Sequence, residues 1–189
     1  MTNKILLFGG TFNPIHNGHL IIAREVAEEM GFDRIVLIPS ARPPTKRNVQ
    51  DAQTRLIMIQ SVVYQDPLFE WSVCEIEREE KSYTIDSVKY FKEKYNNEVF
   101  WLIGEDNLLD LPKWHKIDEL MELCTFVVAC PKKPSDVTYM GYKNVKFVEV
   151  TPIPIRSTMI REKIKNNKSI KYLVPRSVEC IIKSQKLYK

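Results

Sequence analysis

Between residues 4 and 150, apolar runs of strand length alternate with amphipathic stretches of helical period. Few folds remain open to such a chain, because this pattern is the signature of βαβ units around a parallel sheet. Lys4 to Phe8 reads as a first strand, and Gly9-Gly10 ends it. A helix follows with Leu20, Ala23, Ala27 and Met30 on one face and Arg24, Glu25, Glu28 and Glu29 on the other, closed by Gly31. Ile35 to Ile38 is a second buried strand, ended by Pro39 and a long loop, Ser40 to Gln50. Asp51 caps a helix bearing Leu56, Ile59 and Val63, and Phe69 to Ile76 alternates as a strand. A third helix carries Ile85, Val88, Phe91 and Tyr95. Val99 to Ile103, Phe126 to Cys130 and Val145 to Val150 read as further strands, with a short helix near Lys116 to Leu123. Ser157 or Thr158 starts one late helix, and Pro175 fits the first turn of another ending near Ser184. The expected fold is α/β, a doubly wound parallel sheet with C-terminal helices over about 151–189. Pro131 to Tyr142 is the best candidate for a surface loop.

A length of 189 residues is little more than one typical domain, so residues 1–189 are expected to form a single unit. Hydrophobic residues make up 44% and charged residues 28%, which excludes a disordered or fibrous chain. The net charge of +4 suits phosphate-bearing ligands, but the basic residues do not cluster, so no nucleic-acid footprint is present. Apolar runs fall far short of the roughly 20 residues a bilayer demands, and a cytoplasmic location without membrane contact is expected. Cys74, Cys124, Cys130 and Cys180 show no metal or redox spacing and are expected as buried, reduced thiols.

The chain has only six glycines and three histidines, yet Gly9, Gly10, His16, Gly18 and His19 fall within eleven positions. They mark the junction between a buried strand and an amphipathic helix. In an open parallel sheet, ligands bind beyond the carboxyl ends of the strands, where helix N-termini present free N–H groups to anions. Phosphate is the natural guest. Glycines at 9 and 10 let the backbone approach a nucleotide, and Gly18 opens the first helical turn. With a helix beginning near Gly18, the imidazoles of His16 and His19, three residues apart, converge on one anionic group. A metal pair is disfavoured, since no third ligand lies near and a helix N-terminus repels a cation. The remaining alternative is a capped turn with two surface histidines.

Gly9 to His19 resembles the H-x-G-H signature of the nucleotidyltransferase superfamily, whose members bind ATP phosphates and join a nucleoside monophosphate to a phosphate acceptor. Within it, the chain as a whole looks like the bacterial nicotinate-nucleotide adenylyltransferases, with several motifs in the expected order. The resemblance implies a Rossmann-like sheet, ATP and nicotinate mononucleotide as substrates, and Gly9, Gly10, Thr11, Phe12, His16 and His19 at the ATP. Gly104-Glu105-Asp106 resembles the family's G-x-D, which places Gly104 and Asp106 near the adenosine ribose. Asp106 is equally suited to capping the next short helix. Ile155 to Arg161 resembles I-S-S-T-x-I-R, so that Ser157, Thr158 and Arg161 reach the phosphates, although Arg156 replaces the first serine.

On the acceptor side, Pro43-Pro44-Thr45-Lys46 is similar to P-P-H-K. Thr45 departs from the histidine there, and only Lys46 carries over, as a point charge for the substrate phosphate. Ser82 to Asp86 resembles S-Y-T-x-D, implying that Tyr83 and the backbone at Thr84 receive the nicotinate carboxylate; taken alone, the same residues are a helix cap. Leu111 to Trp114 resembles L-P-x-W, whose tryptophan stacks on the pyridine ring, with His115 contributing its backbone amide.

The chemistry so implied is in-line attack by an already anionic phosphate on the α-phosphorus of ATP, which requires no general base. Positioning and charge neutralisation by His16, His19 and Arg161 would suffice, with Mg²⁺ bridging the triphosphate oxygens. His19→Ala is expected to lower turnover by about 10² to 10³ with little change in stability. Another adenylyltransferase of the superfamily and a non-catalytic nucleotide-binding regulator remain as alternatives, and the state of oligomerisation is left open.

Overall fold

A computed structural model describes residues 4–43, 49–78, 81–95, 98–132 and 144–189. Six strands, β1 (Ile5–Gly10), β2 (Arg34–Pro39), β3 (Phe69–Trp71), β4 (Phe100–Gly104), β5 (Thr125–Cys130) and β6 (Val145–Glu149), form one sheet in the order β3-β2-β1-β4-β5-β6. Every pairing is parallel. The helices are α1 (Asn17–Met30), α2 (Ala52–Val63), α3 (Thr84–Tyr95), α4 (Glu105–Leu108), α5 (Ile117–Leu123), α6 (Ser157–Lys165) and α7 (Arg176–Ser184), with a 3₁₀ turn at Leu111–Lys113.

The near-continuous apolar runs of the strands are divided between two helical layers. Leu6, Leu37, Leu102 and Val127 point to one side, where Ala23 and Val26 of α1, Met58 and Ile59 of α2, Ile160 of α6 and Val178 of α7 complete a core. Leu7, Val36, Trp101 and Val128 point to the other, against Ile85, Val88 and Phe91 of α3 and Leu120 of α5. A period-2 strand buried on both faces has no polar side, so these strands read as unbroken hydrophobic sequence. The helix ends follow local chemistry. Gly31 takes the left-handed cap of α1 at φ 66°, and the Asp51 carboxylate accepts the Thr54 N–H at 2.8 Å to start α2.

Several expectations change. The strand read over Phe69 to Ile76 pairs for only three residues, because β3 is an edge strand and the chain curls away at Cys74 to Ile76. The Ser72 hydroxyl accepts the Cys74 N–H there at 3.3 Å and stabilises that curl. β1 runs on through both glycines, since Gly9 and Gly10 stay paired opposite Ile38 and Pro39. Pro175 is the residue before α7 instead of its first turn. Cys74, Cys124 and Cys130 are buried free thiols, but Cys180 is exposed on the outer face of α7. Most of the loop read over Pro131 to Tyr142 lies outside the described residues. Among the described residues no helix is long and apolar enough to cross a membrane.

Candidate active site

The strand order reverses between β1 and β4, and a cleft opens beyond their carboxyl ends, where this topology leaves room for a ligand. It has two lobes. One, of about 730 Å³, is bounded by His16, His19, Asp106, Ser157, Thr158 and Arg161. The other, of about 650 Å³, is bounded by Ser40, Glu75, Tyr83, Thr84, Trp114 and His115. Phe8 to Gly10 of β1, Thr11 just after it and Leu102 to Gly104 of β4 belong to both, so the lobes share a wall.

At the first lobe, His16 is the N-cap of α1 in extended conformation, φ −148° and ψ 167°. Its Nδ1 accepts the His19 N–H at 3.3 Å, and its own N–H donates to His19 Nδ1 at 3.2 Å. Two imidazoles thus make the reciprocal box usually built from Ser and Glu. With each Nδ1 occupied as an acceptor, the proton of a neutral ring sits on Nε2. The rings stack with centroids 3.5 Å apart, and the edges of Phe8 and Phe12 hold His19 from the side. Burial lowers the His16 pKa to about 4, so at neutral pH it is an uncharged N–H donor. The capped turn that the sequence left as an alternative is present and is built by the histidines themselves, but His16 is buried instead of lying on the surface.

Gly9 and Gly10 border both lobes, and each also lies against an aromatic ring. A Cβ on Gly9 would stand 2.2 Å from Cζ2 of Trp101, and one on Gly10 would stand 3.0 Å from the Phe12 ring. Packing against Trp101 already leaves no room for a side chain at Gly9, and at Gly10 the Phe12 ring would have to give by a few tenths of an ångström. At Gly104 a Cβ would lie 2.7 Å from Oδ1 of Asp106. Asp106 lies inside the first turn of α4 and does not cap it; the N-cap is Gly104, with no side-chain bond.

Residues 11 to 14 are braced from far along the chain. Arg161 Nη1 donates to the Asn13 carbonyl and Ser157 Oγ to the Pro14 carbonyl, both at 2.9 Å, across a cis Asn13-Pro14 bond. The Asn13 side-chain oxygen accepts the Tyr188 hydroxyl at 2.9 Å and the Gln50 N–H at 3.3 Å. Ser157 and Arg161 therefore hold the loop as well as facing the cavity. Thr158 is exposed at the start of α6, and Arg156 precedes that helix without a capping bond.

In the second lobe, Thr84 is the first residue of α3 and Tyr83 stacks on the His115 ring, 4.3 Å between centroids. His115 thus contributes a packed side chain where only its backbone was expected. Trp114 packs one edge against Phe126 at 5.8 Å and borders the cavity. Lys46 lies outside the described residues.

A cytidylyltransferase-like family model matches residues 7–163. The chain is 40% identical over 189 residues to a probable nicotinate-nucleotide adenylyltransferase of Bacillus pumilus, with 98% of each chain covered. It is 39% identical to the nicotinate-nucleotide adenylyltransferase of Bacillus subtilis, again over 98% of each. This chain belongs to the nicotinate-nucleotide adenylyltransferases. Its fold matches the Plasmodium falciparum nicotinic acid mononucleotide adenylyltransferase complexed with NaAD, with a TM-score of 0.82 at 17% identity, over 98% of this chain and 97% of that one.

Two buried charges of this adenylyltransferase were absent from the sequence reading. Arg55, 1% exposed, sits on the apolar stripe of α2 with Met58, Ile59 and Val62, and an arginine at that phase was the available signal. Glu75, 4% exposed, occupies an inward position of the alternation after β3. Its carboxylate accepts the Ser87 hydroxyl at 2.7 Å and is bonded by Ser82, while burial pushes its pKa up.

Proposed function

We propose that the chain transfers the adenylyl group of ATP to nicotinate mononucleotide. An oxygen of the acceptor 5′-phosphate bonds to the α-phosphorus while the bond from that phosphorus to the bridging oxygen breaks. Pyrophosphate leaves, and nicotinate adenine dinucleotide forms. The bipartite cleft carries this reading: its lobes meet along β1 and β4, so ligands in each have reacting groups at one shared wall. Holding two reactants in line supplies about 7 to 11 kcal/mol of the barrier, and the attacking phosphate is already anionic. No general base has to be found.

Gly9, Gly10, Thr11 and Phe12 form the floor for ATP, and Gly104 and Asp106 take its ribose, the carboxylate accepting from hydroxyls. Nε2–H of His16 and His19 and the start of α6 at Ser157 and Thr158 donate hydrogen bonds to the triphosphate, and the fork of Arg161 neutralises it as charge builds on the leaving group. Tyr83, Thr84, Trp114 and His115 receive the nicotinate ring and carboxylate, and Lys46 the acceptor phosphate. Mg²⁺ would come with ATP as part of the substrate, held by the phosphates, and would supply charge screening there. The nitrogen donors of the lobe suit phosphate oxygens and not the cation itself, and Asp106 is the one carboxylate in its described lining that could reach the ion. Among the described residues no group of three metal-ligating side chains exists. We place the reaction in the cytoplasm, with residues 1–189 acting as one domain.

The test supplies ATP and Mg²⁺ with either nicotinate or nicotinamide mononucleotide, identifies the dinucleotide by mass and counts pyrophosphate. Faster use of the acid supports the carboxylate pocket at Thr84 and Trp114. Equal use of both removes it, and ATP binding without product points to a regulator.

A further inference from the structure

The largest fully buried side chain of the described residues is a cation, Arg55. Every acceptor it reaches among those residues is a main-chain carbonyl: Gln50 from Nε at 2.8 Å, Thr11 from Nη1 at 2.7 Å, and Ser40 from Nη2 at 2.7 Å. Nη2 also lies 3.5 Å from the Ala41 carbonyl. Burying a guanidinium is unfavourable, and a helix stripe needs no charge for its packing, so three separate segments account for its presence. Thr11 belongs to the wall shared by both lobes, and Ser40 borders the acceptor lobe. Gln50 leads to Asn13, whose side-chain oxygen accepts the Gln50 N–H. From the opposite side, Ser82 Oγ accepts the N–H groups of Ala41 at 3.0 Å and Arg42 at 3.2 Å. Ser82 itself rests on Glu75.

We propose that Arg55 is a positioning residue for adenylyl transfer: by holding Thr11, Ser40 and Gln50 in one planar fork, it fixes the register between the triphosphate lobe and the acceptor lobe. It touches neither substrate. A lysine can keep the charge but cannot reproduce three diverging bonds, so Arg55→Lys lets the loops drift relative to one another. A misplacement of about 1 Å between reactants lowers turnover by about 10². The inference rests on the reaction proposed above.

The experiment compares wild type, Arg55→Lys and Ser82→Ala by thermal unfolding, by affinity for a non-hydrolysable ATP analogue, and by kcat and KM for each substrate. For Arg55→Lys the expected result is cooperative unfolding, analogue affinity within about 3-fold of wild type, and kcat lower by about 10². A purely structural role would lower the unfolding temperature and leave kcat per folded molecule intact; that result overturns the proposal. Should Arg55→Lys fail to fold, Ser82→Ala releases the same segment from its other side. A kcat loss of about 10-fold or more with unchanged analogue affinity then supports the proposal, and a kcat within about 3-fold refutes it. A wild type that makes no dinucleotide removes the reaction and this inference together, whereas an active wild type with a fully active, folded Arg55→Lys removes only the inference.

Discussion

Acidification should destabilise this protein through one histidine. His16 is 4% exposed and its pKa is lowered by burial to about 4, whereas in the unfolded chain it returns to 6.5. Between those values the unfolded chain carries a proton that the folded one refuses, so stability falls as pH falls, by about 1.4 kcal/mol per pH unit. The full loss, reached near pH 4, is about 3 kcal/mol, and at pH 5 it is about 2 kcal/mol. For a domain of this size that lowers Tm by about 4 to 8 °C at pH 5 relative to pH 7.5. A protonated His16 with both nitrogens donating could no longer accept the His19 N–H, so the α1 cap is what gives way. The assay is a set of melts at pH 7.5, 6 and 5 for wild type and His16→Gln, whose amide oxygen can keep the capping bond without the titrating group. Other titrations cancel in the difference, including that of Glu75, whose raised pKa works in the opposite direction and favours the folded state in acid. Parallel curves of Tm against pH for the two proteins would refute the reasoning.

Three further outcomes are expected. In Gly9→Ala the new methyl meets Trp101 at 2.2 Å, far inside normal contact, so stability should drop by about 1 to 3 kcal/mol; adding Trp101→Leu should restore most of it, as read by thermal melts of both variants. His19→Ala should lose about 10² to 10³ in kcat. Because its ring also receives the His16 N–H, that variant should lose about 1 kcal/mol of stability too, which steady-state pyrophosphate release and a melt together check. Trp114→Leu should raise KM for nicotinate mononucleotide by about 5- to 10-fold while leaving KM for ATP unchanged, the loss of one ring stack.

The architecture was legible because a doubly covered parallel sheet writes itself as apolar runs between amphipathic helices, and β1, β2, β4, β5 and β6 all stand where those runs do. β3 was overread because alternation at an edge strand continues past the last pairing partner. His16, His19 and Arg161 were legible as residues and now border one cavity; Tyr83, Thr84, Trp114 and His115 border the other. Their second duties were not legible. That Ser157 and Arg161 clamp residues 13 and 14, or that Trp101 excludes a side chain at position 9, depends on distances that open only after some ninety to one hundred and fifty residues of intervening chain have folded. Arg55 was hidden by the same rule that found the helix, since a charge on an apolar stripe is discounted when the stripe is being counted.

The bond from Tyr188 to Asn13 joins residues 175 positions apart. Polypeptides are made from the N-terminus at about 5 to 20 residues per second, so about 10 to 35 s separate the synthesis of Asn13 from that of Tyr188. During that interval the sheet can assemble, strand by strand, with the hydroxyl that settles Asn13 still unmade. Pairing of the strands and bracing of Asn13 are thus separated in time, because the two depend on segments made far apart.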